Sequence, residues 1–359
     1  MATKEELLRK AAAAFEAAAE TPGASALDLA RLSMHALWNG ESGKAYSLAR
    51  RAREMAPDDP EVRSMTDEAI SHGVPKWHFS LMRDHGRNRA YEAALLRAVR
   101  PNMRVLDIGA GTGLLALIAA RAGADQVVSC EVNRAVADAA AEIVALNGYS
   151  DRVRVVPKLS TDLDVEVDMG GPADLVVSEI VSNEMLHEGV LPVMEDTVAR
   201  LMKPGARMIP SSGTVRVALA HWGDLSKWRT RDVCGFDVTP FHRLDQNPKQ
   251  VKVGDETLAL RSPPADLFEF DFASGGPFHP RRTKLNLVAD GGAVNGVVQW
   301  IRLQLDNEGV VENLPSPGAT SNWAALFYPI EPEIAPTPGT GVAIEAAHTR
   351  DNIRIWRSS

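Results

Sequence analysis

Three observations in the sequence predict an α/β fold carrying a helical segment in front and a second, all-β domain behind. Strand-like and helix-like segments alternate over roughly 100 residues within 76–209. A short apolar run leads straight into Gly109-Ala110-Gly111-Thr112-Gly113. After residue 210, apolar and polar residues alternate with period two between Gly, Pro and Asn turns. The 359 residues suggest two domains with a small extra module. With 45% hydrophobic and 24% charged residues, the chain is globular, neither disordered nor fibrous. No uncharged apolar run reaches the ~18 residues of a membrane span, and the Ala-rich N-terminus mixes acids with bases, unlike a secretory signal. Only Cys130 and Cys234 are present, which argues against a disulfide framework or a cysteine-built metal site. No histidine pair has metal-ligand spacing, so no metal is expected. A reduced, cytoplasmic setting follows. The net charge of −8 speaks against direct nucleic-acid binding and suits a cationic partner.

Residues 1–75 read as helical. Leu27, Ala30, Met34 and Leu37 recur in steps of three and four, and Gly40, Ala45 and Pro57 have the relative spacing of a tetratricopeptide hairpin. Gly73 and Pro75 break this block, and residues 77–99 form another helical stretch. Strands are expected near 105–108, 126–132, 152–157 and 173–180. Helices are expected after the glycine loop, over 133–148 and over 191–205, with Met202-Lys203-Pro204-Gly205 as a closing turn. The segments at 213–222, 267–274, 283–290, 296–306 and 324–330 make the β domain, a barrel or a sandwich, over 210–359. Residues 224–256 are less regular and read as a projecting arm.

The glycine loop carries the strongest chemical signal. Gly109, Gly111 and Gly113 let the backbone approach a ligand, Asp107 stands just before them, and Glu131 closes the next strand, where a carboxylate can accept both hydroxyls of a ribose. A bare glycine fingerprint leaves NAD, FAD and S-adenosylmethionine open. The preceding acid and the GxGxG pattern favour S-adenosylmethionine, a sulfonium cation with no pyrophosphate to cradle. Cys130 reads as a small packing residue beneath the sheet. Farther along, Glu179 ends a buried strand and Glu188 follows it, with Glu184 between them. Acids at the carboxyl end of a parallel strand point into the ligand crevice. Two such carboxylates match the planar fork of a guanidinium, whose delocalised charge makes its nitrogens poor nucleophiles until the charge is localised.

With these residues in view, the sequence resembles the protein arginine methyltransferases from Trp77 onward, closest to the tetratricopeptide-bearing and monomethylating branches. The likeness rests on residues 105–115 around the loop, Glu131, the loop from Glu179 to Glu188, and Asp84-x-x-Arg87-x-x-x-Tyr91. In the β domain it rests on residues 233–237 and on Ser321-Asn322-Trp323. The resemblance implies a Rossmann-like class I methyltransferase domain followed by a β-barrel. It implies an enzyme moving methyl from S-adenosylmethionine to arginine in a protein or peptide. It also implies roles. Arg87 would meet the cofactor's methionine carboxylate, Glu131 its ribose, and Leu159 and Ser160 its adenine. Glu179 and Glu188 would hold the acceptor guanidinium, and Trp323 would wall its channel. Leu81 and Val190 would line the methyl-accepting pocket. The arm over 224–256 would make a homodimer. Where the family's barrel loop carries a histidine near the acid corresponding to Asp84, this chain has Asn322, an amide that bonds but does not shuttle protons. The rival readings are transfer to another peptide nitrogen, a silent S-adenosylmethionine-binding scaffold, and an oxidoreductase.

Overall fold

The computed structural model describes residues 23–228, 230–245 and 247–358; the expected helix over residues 1–22 lies outside them. Two compact units are present, one ending at Lys76 and taking in Asn133–Ala139, the other comprising Trp77–Val132 and Ala140–Ser359.

In the first unit, helices α1 (Ala26–Trp38), α2 (Ser42–Met55) and α3 (Pro60–Ser71) follow one another through short turns. Ser25 and Asp28 form a reciprocal capping box at the start of α1, and Asp59 accepts from Glu61 N–H and Val62 N–H ahead of α3. The α1 face that packs is Leu29, Ala30, Leu32 and Ala36, against Ala45, Leu48, Ala49 and Ala52 of α2 and Val62 of α3. Of the stripe read from sequence, Ala30 is buried in this core, Leu27 and Leu37 pack half-buried against it, and Met34 is half-buried. Gly40, with φ +78°, makes the turn between α1 and α2. Tyr46 Oη and Arg50 Nη1 both bond Asp138 Oδ2, at 3.0 and 2.8 Å, within this unit.

The second unit opens with α4 (Trp77–Leu81) and α5 (His85–Ala98), then alternates β1 (Arg104–Ile108), α6 (Leu114–Arg121), β2 (Gln126–Cys130), α7 (Arg134–Leu146, whose first residues belong to the other unit), β3 (Val153–Val156), β4 (Ala173–Ser178), α8 (Val190–Asp196, prolonged by a wider turn over Thr197–Leu201) and β5 (Met202–Ile209). The five strands are parallel throughout, in the order β3-β2-β1-β4-β5. The chain winds outward from β1 to β3, then returns to β4 on the other side. The switch point therefore lies between β1 and β4, and the ligand crevice opens above their carboxyl ends. Residues 202–205 are not a turn. They open β5, and the register slips between Ala173↔Met202 and Leu175↔Arg207, so that Lys203-Pro204-Gly205 is absorbed as a bulge.

The β domain contains β6 (Ser212–Trp222), β7 (Asp232–Val233), β8 (Phe236–Asp237), β9 (Lys249–Val251), β10 (Leu258–Leu260), β11 (Ala265–Asp271), β12 (Arg281–Val288), β13 (Val294–Gln304), β14 (Val310–Glu312), β15 (Ala325–Ile334), β16 (Gly341–His348) and β17 (Ile353–Arg357). Seven of these strands curl into an antiparallel, barrel-like sheet built on β10-β6-β13-β15-β9. β12, β16 and β17 form a second sheet, and β7 and β8 pair as a small ribbon within the segment read as an arm. Trp222, Trp300 and Phe327 fill one core inside the curl. A larger core runs without a break from Leu106 and Leu175 of the parallel sheet to Val215 and Ile301 of the barrel. That continuity fixes the barrel loops against the crevice.

Candidate active site

Strand register builds the rim of the crevice. Ser178 pairs with Ile108, Ile108 with Cys130, and Cys130 with Val156. The next residue on each central strand is therefore Glu179, Gly109 and Glu131, side by side across three strands. Gly109 and Ala110 donate to the Cys130 carbonyl at 3.0 and 2.9 Å, which folds the loop over the end of β2. Gly109 has φ +84°, and a Cβ there would stand 2.6 Å from Ile180 Cγ2, so only glycine fits. Gly111 N–H donates to Glu131 Oε2 at 3.2 Å, and Gly113, with φ +74°, starts α6. His78 of α4 faces the loop, its Nδ1 3.8 Å from where a Gly111 Cβ would lie. Burial lowers the His78 pKa against the pull of Glu131.

Asp107 does not line the crevice. It is wholly buried beneath the loop, its Oδ2 accepts from Ser129 Oγ at 2.7 Å, and its Oδ1 has no hydrogen-bond partner. Burial pushes its carboxyl up to about 7. Asp107 supports the loop from below, with Oδ1 left as a buried acceptor. Leu159 is exposed beside the buried Ser160, an apolar shelf past the end of β3.

Across the switch point, Arg87 Nη1 lies 2.7 Å from Glu179 Oε2, and each side chain is about one-tenth exposed. The distance gives strong attraction, but the N–H is not aimed along it, so Nη1 is left without an aligned hydrogen bond. Nη2 donates to the Leu81 carbonyl at 3.1 Å and to Asn88 Oδ1 at 3.0 Å. The guanidinium also stands 5.9 Å from the centroid of the Trp323 ring. Burial raises the Glu179 pKa to about 7, with Arg87 pulling it down and Glu188 pushing it up. Tyr91, fully buried, donates to the Ser178 carbonyl at 3.2 Å and so braces the strand end that carries Glu179.

Glu179 and Glu188 line one cavity of about 980 Å³, together with Trp77, Leu81, Asn322 and Trp323. Desolvation and the charge of Glu131 raise the Glu188 pKa. Glu184 also faces this cavity. It is buried and raised to about 7 by that burial, and it pairs with His187. Val190 is wholly buried in the core on α8 and does not line the cavity. Asp84 ties the two lobes of the site. Its Oδ1 accepts the Arg87 main-chain N–H at 3.0 Å, and its Oδ2 accepts the main-chain N–H of Asn322 at 3.1 Å. Main-chain donors thus occupy both oxygens, and the link to Asn322 does not depend on that residue's side chain. Sequence reading did not find Arg354, Trp77 or Asn183 in this cavity. Asn183 Oδ1 accepts the Ala324 N–H at 3.0 Å and pins the barrel loop to the acidic loop.

A glycine loop at the switch point, acids on the neighbouring strand ends and a barrel-like domain closing over them define a class I methyltransferase fold with an appended barrel. The signature of the ribosomal protein L11 methyltransferase (PrmA) family matches residues 89–217, the stretch holding the loop and both acidic strand ends. An arginine N(omega)-methyltransferase of Streptomyces achromogenes subsp. streptozoticus is 32% identical over 316 residues, 86% of this chain and 87% of that one. Protein arginine N-methyltransferase 7 of Aedes aegypti is 32% identical over 251 residues, 64% of this chain but only 37% of the longer relative. Among solved structures, the Trypanosoma brucei PRMT1 enzyme-prozyme heterotetrameric complex with AdoHcy aligns with a TM-score of 0.67 at 20% identity, covering 81% of this chain and all (100%) of that one. The chain belongs to the arginine N-methyltransferase family.

Proposed function

We propose that this chain transfers methyl from S-adenosylmethionine to a guanidino nitrogen of arginine, with Glu179 and Glu188 as the groups that hold and activate the acceptor. The observation that carries the reading is the placement of Glu179 at the switch point, beside Gly109 on the cofactor side and in one cavity with Glu188 on the acceptor side. The donor set fits the cofactor. Glu131 offers a carboxylate at the strand end for the ribose hydroxyls, and Leu159 with Ser160 offers an apolar edge for the adenine. The unaligned Nη1 of Arg87 is a buried donor suited to a carboxylate. Bound there, S-adenosylmethionine supplies a methyl group activated by its sulfonium charge. The chain's own part is electrostatic. Two carboxylates against opposite edges of a guanidinium draw its charge away from the nitrogen to be methylated, orient that nitrogen, and take up the proton it loses. Glu179→Gln tests this: methylarginine should vanish from acid hydrolysates of the acceptor while S-adenosylhomocysteine still binds.

The wider reading follows the family. A protein or peptide arginine is the acceptor that the protein-acting relatives suggest, in a cytoplasmic setting. The segment 224–256 supports a homodimer, because Val233, Phe236, Phe241 and Leu244 are all exposed there. Gly40, Ala45 and Pro57 hold a turn, a buried contact and a helix end, which suits a tetratricopeptide-like module over residues up to 75, ahead of a cofactor domain over 76–209 and a barrel over 210–359.

A further inference from the structure

The acceptor cavity carries a charge that a guanidinium pocket does not need. Arg354, on β17, lines it with Glu179, Glu184 and Glu188, and is the only lysine or arginine among the described residues that do so. Its charge is felt at Glu184, His187 and Tyr328, yet among the described residues it forms neither a hydrogen bond nor an ion pair of ordinary length. Glu184, whose carboxyl feels that charge, lies against His187 instead. The side chain is exposed and keeps its full set of donors.

An unpaired guanidinium facing the same cavity as an incoming guanidinium is repulsive. The repulsion is reversed if the acceptor brings a carboxylate of its own. A residue inside a peptide brings only neutral amides beside its side chain, whereas the amino acid brings an α-carboxylate. We infer that Arg354 is a carboxylate anchor of the acceptor pocket, and that arginine itself, as the free amino acid, is an acceptor of this site. The two ends of the molecule then meet opposite charges, its guanidinium on Glu179 and Glu188 and its α-carboxylate on the planar fork of Arg354. This rests on the reading of Glu179 and Glu188 as the guanidinium clamp.

The test uses the full chain with saturating S-adenosylmethionine and three acceptors: arginine, agmatine (the same molecule without its carboxylate), and a peptide with one internal arginine between neutral residues. Arginine is expected to be methylated with a kcat/KM at least roughly tenfold above agmatine, chiefly through KM. Arg354→Ala should shrink that ratio by roughly ten- to a hundredfold, and Arg354→Lys should restore part of it. The preference of the unaltered protein is informative even if a variant fails to fold. Equal use of arginine and agmatine, or methylation of the peptide but not of arginine, overturns the inference while leaving arginine methylation intact. Absence of methyl transfer to all three acceptors would instead overturn the guanidinium clamp, and the inference with it.

Discussion

Arg87 and Glu179 stand 2.7 Å apart across the mouth of the crevice, a cation expected to greet the cofactor resting on the carboxylate expected to greet the acceptor. The guanidinium offsets part of the desolvation that raises the pKa of this buried acid. It also means that the two binding events draw on one guanidinium.

Replacing Arg87 with Leu should therefore act twice. Affinity for S-adenosylhomocysteine should fall by roughly ten- to a hundredfold, the usual cost of losing a charge-assisted contact. The acid limb of the pH–rate profile should move to higher pH, because Arg87 lowers the Glu179 pKa. Calorimetry and a pH series separate the effects, and an unmoved acid limb would count against the pairing.

The pH profile of the unaltered enzyme follows from the same acid. Glu179 has a pKa raised to about 7, chiefly by burial, and holds a guanidinium only when ionised. The kcat/KM for the acceptor should climb as pH rises through about 7 and level off above it. A rate that is flat from about pH 6 to pH 8 would count against Glu179 as the titrating acid.

Asp107 should write its burial into stability. Its folded-state pKa, about 7, lies above the ordinary carboxylate value. The stabilisation of the protonated acid is thus complete below the unfolded-state pKa and is lost as pH rises through about 7. Asp107→Asn keeps an acceptor for Ser129 and removes the ionisation. The fall in Tm between pH 5 and pH 8 should be smaller in this variant. An unchanged difference would show that burial does not raise the Asp107 pKa and that the acid is ionised in the folded protein across that range.

Gly109→Ala should cost roughly 1–2 kcal/mol or more, since its φ of +84° is left-handed and its Cβ would press on Ile180. Chemical denaturation gives the figure. Loss of S-adenosylhomocysteine binding should accompany it, because Ile180 holds the loop from behind.

Charging the arm tests the proposed homodimer. Phe236 is 73% exposed and Phe241 72% exposed. Phe236→Glu with Phe241→Glu should shift the sedimentation coefficient to that of a monomer and lower turnover. A fully active monomer would argue against an arm that supports the site.

The parts of the site legible in sequence are those written locally. A strand, three glycines with forced backbone angles and an acid one strand further on lie within a few dozen residues, and their geometry follows from βαβ winding. Glu179 was readable for the same reason, as the polar end of a buried strand. Arg354 was not, because it reaches the acidic loop only through the tertiary placement of the β12-β16-β17 sheet, which nothing near residue 354 signals. Residues 202–205 misled because Pro and Gly usually end an element, whereas here β4 supplies partners on both sides of the bulge and pairing resumes. The α1 face was legible at Leu27, Ala30 and Leu37, but its buried centre at Ser33 and Ala36 was not, because small residues pack there as closely as large ones. Asp84 was recognised, but its partner on the barrel side proved to be a peptide N–H, which no side-chain pattern encodes.

The five-residue helix α4 has no buried residue, yet its first two side chains serve different compartments: Trp77 lines the acceptor cavity, and His78 faces Gly111 and Glu131. One turn of chain is thus a shared wall. Whatever free energy one ligand spends ordering that turn is spared the other, and thermodynamic reciprocity makes the two gains equal. Acceptor binding should tighten the hold on the methyl donor by the same factor by which the donor tightens the hold on the acceptor.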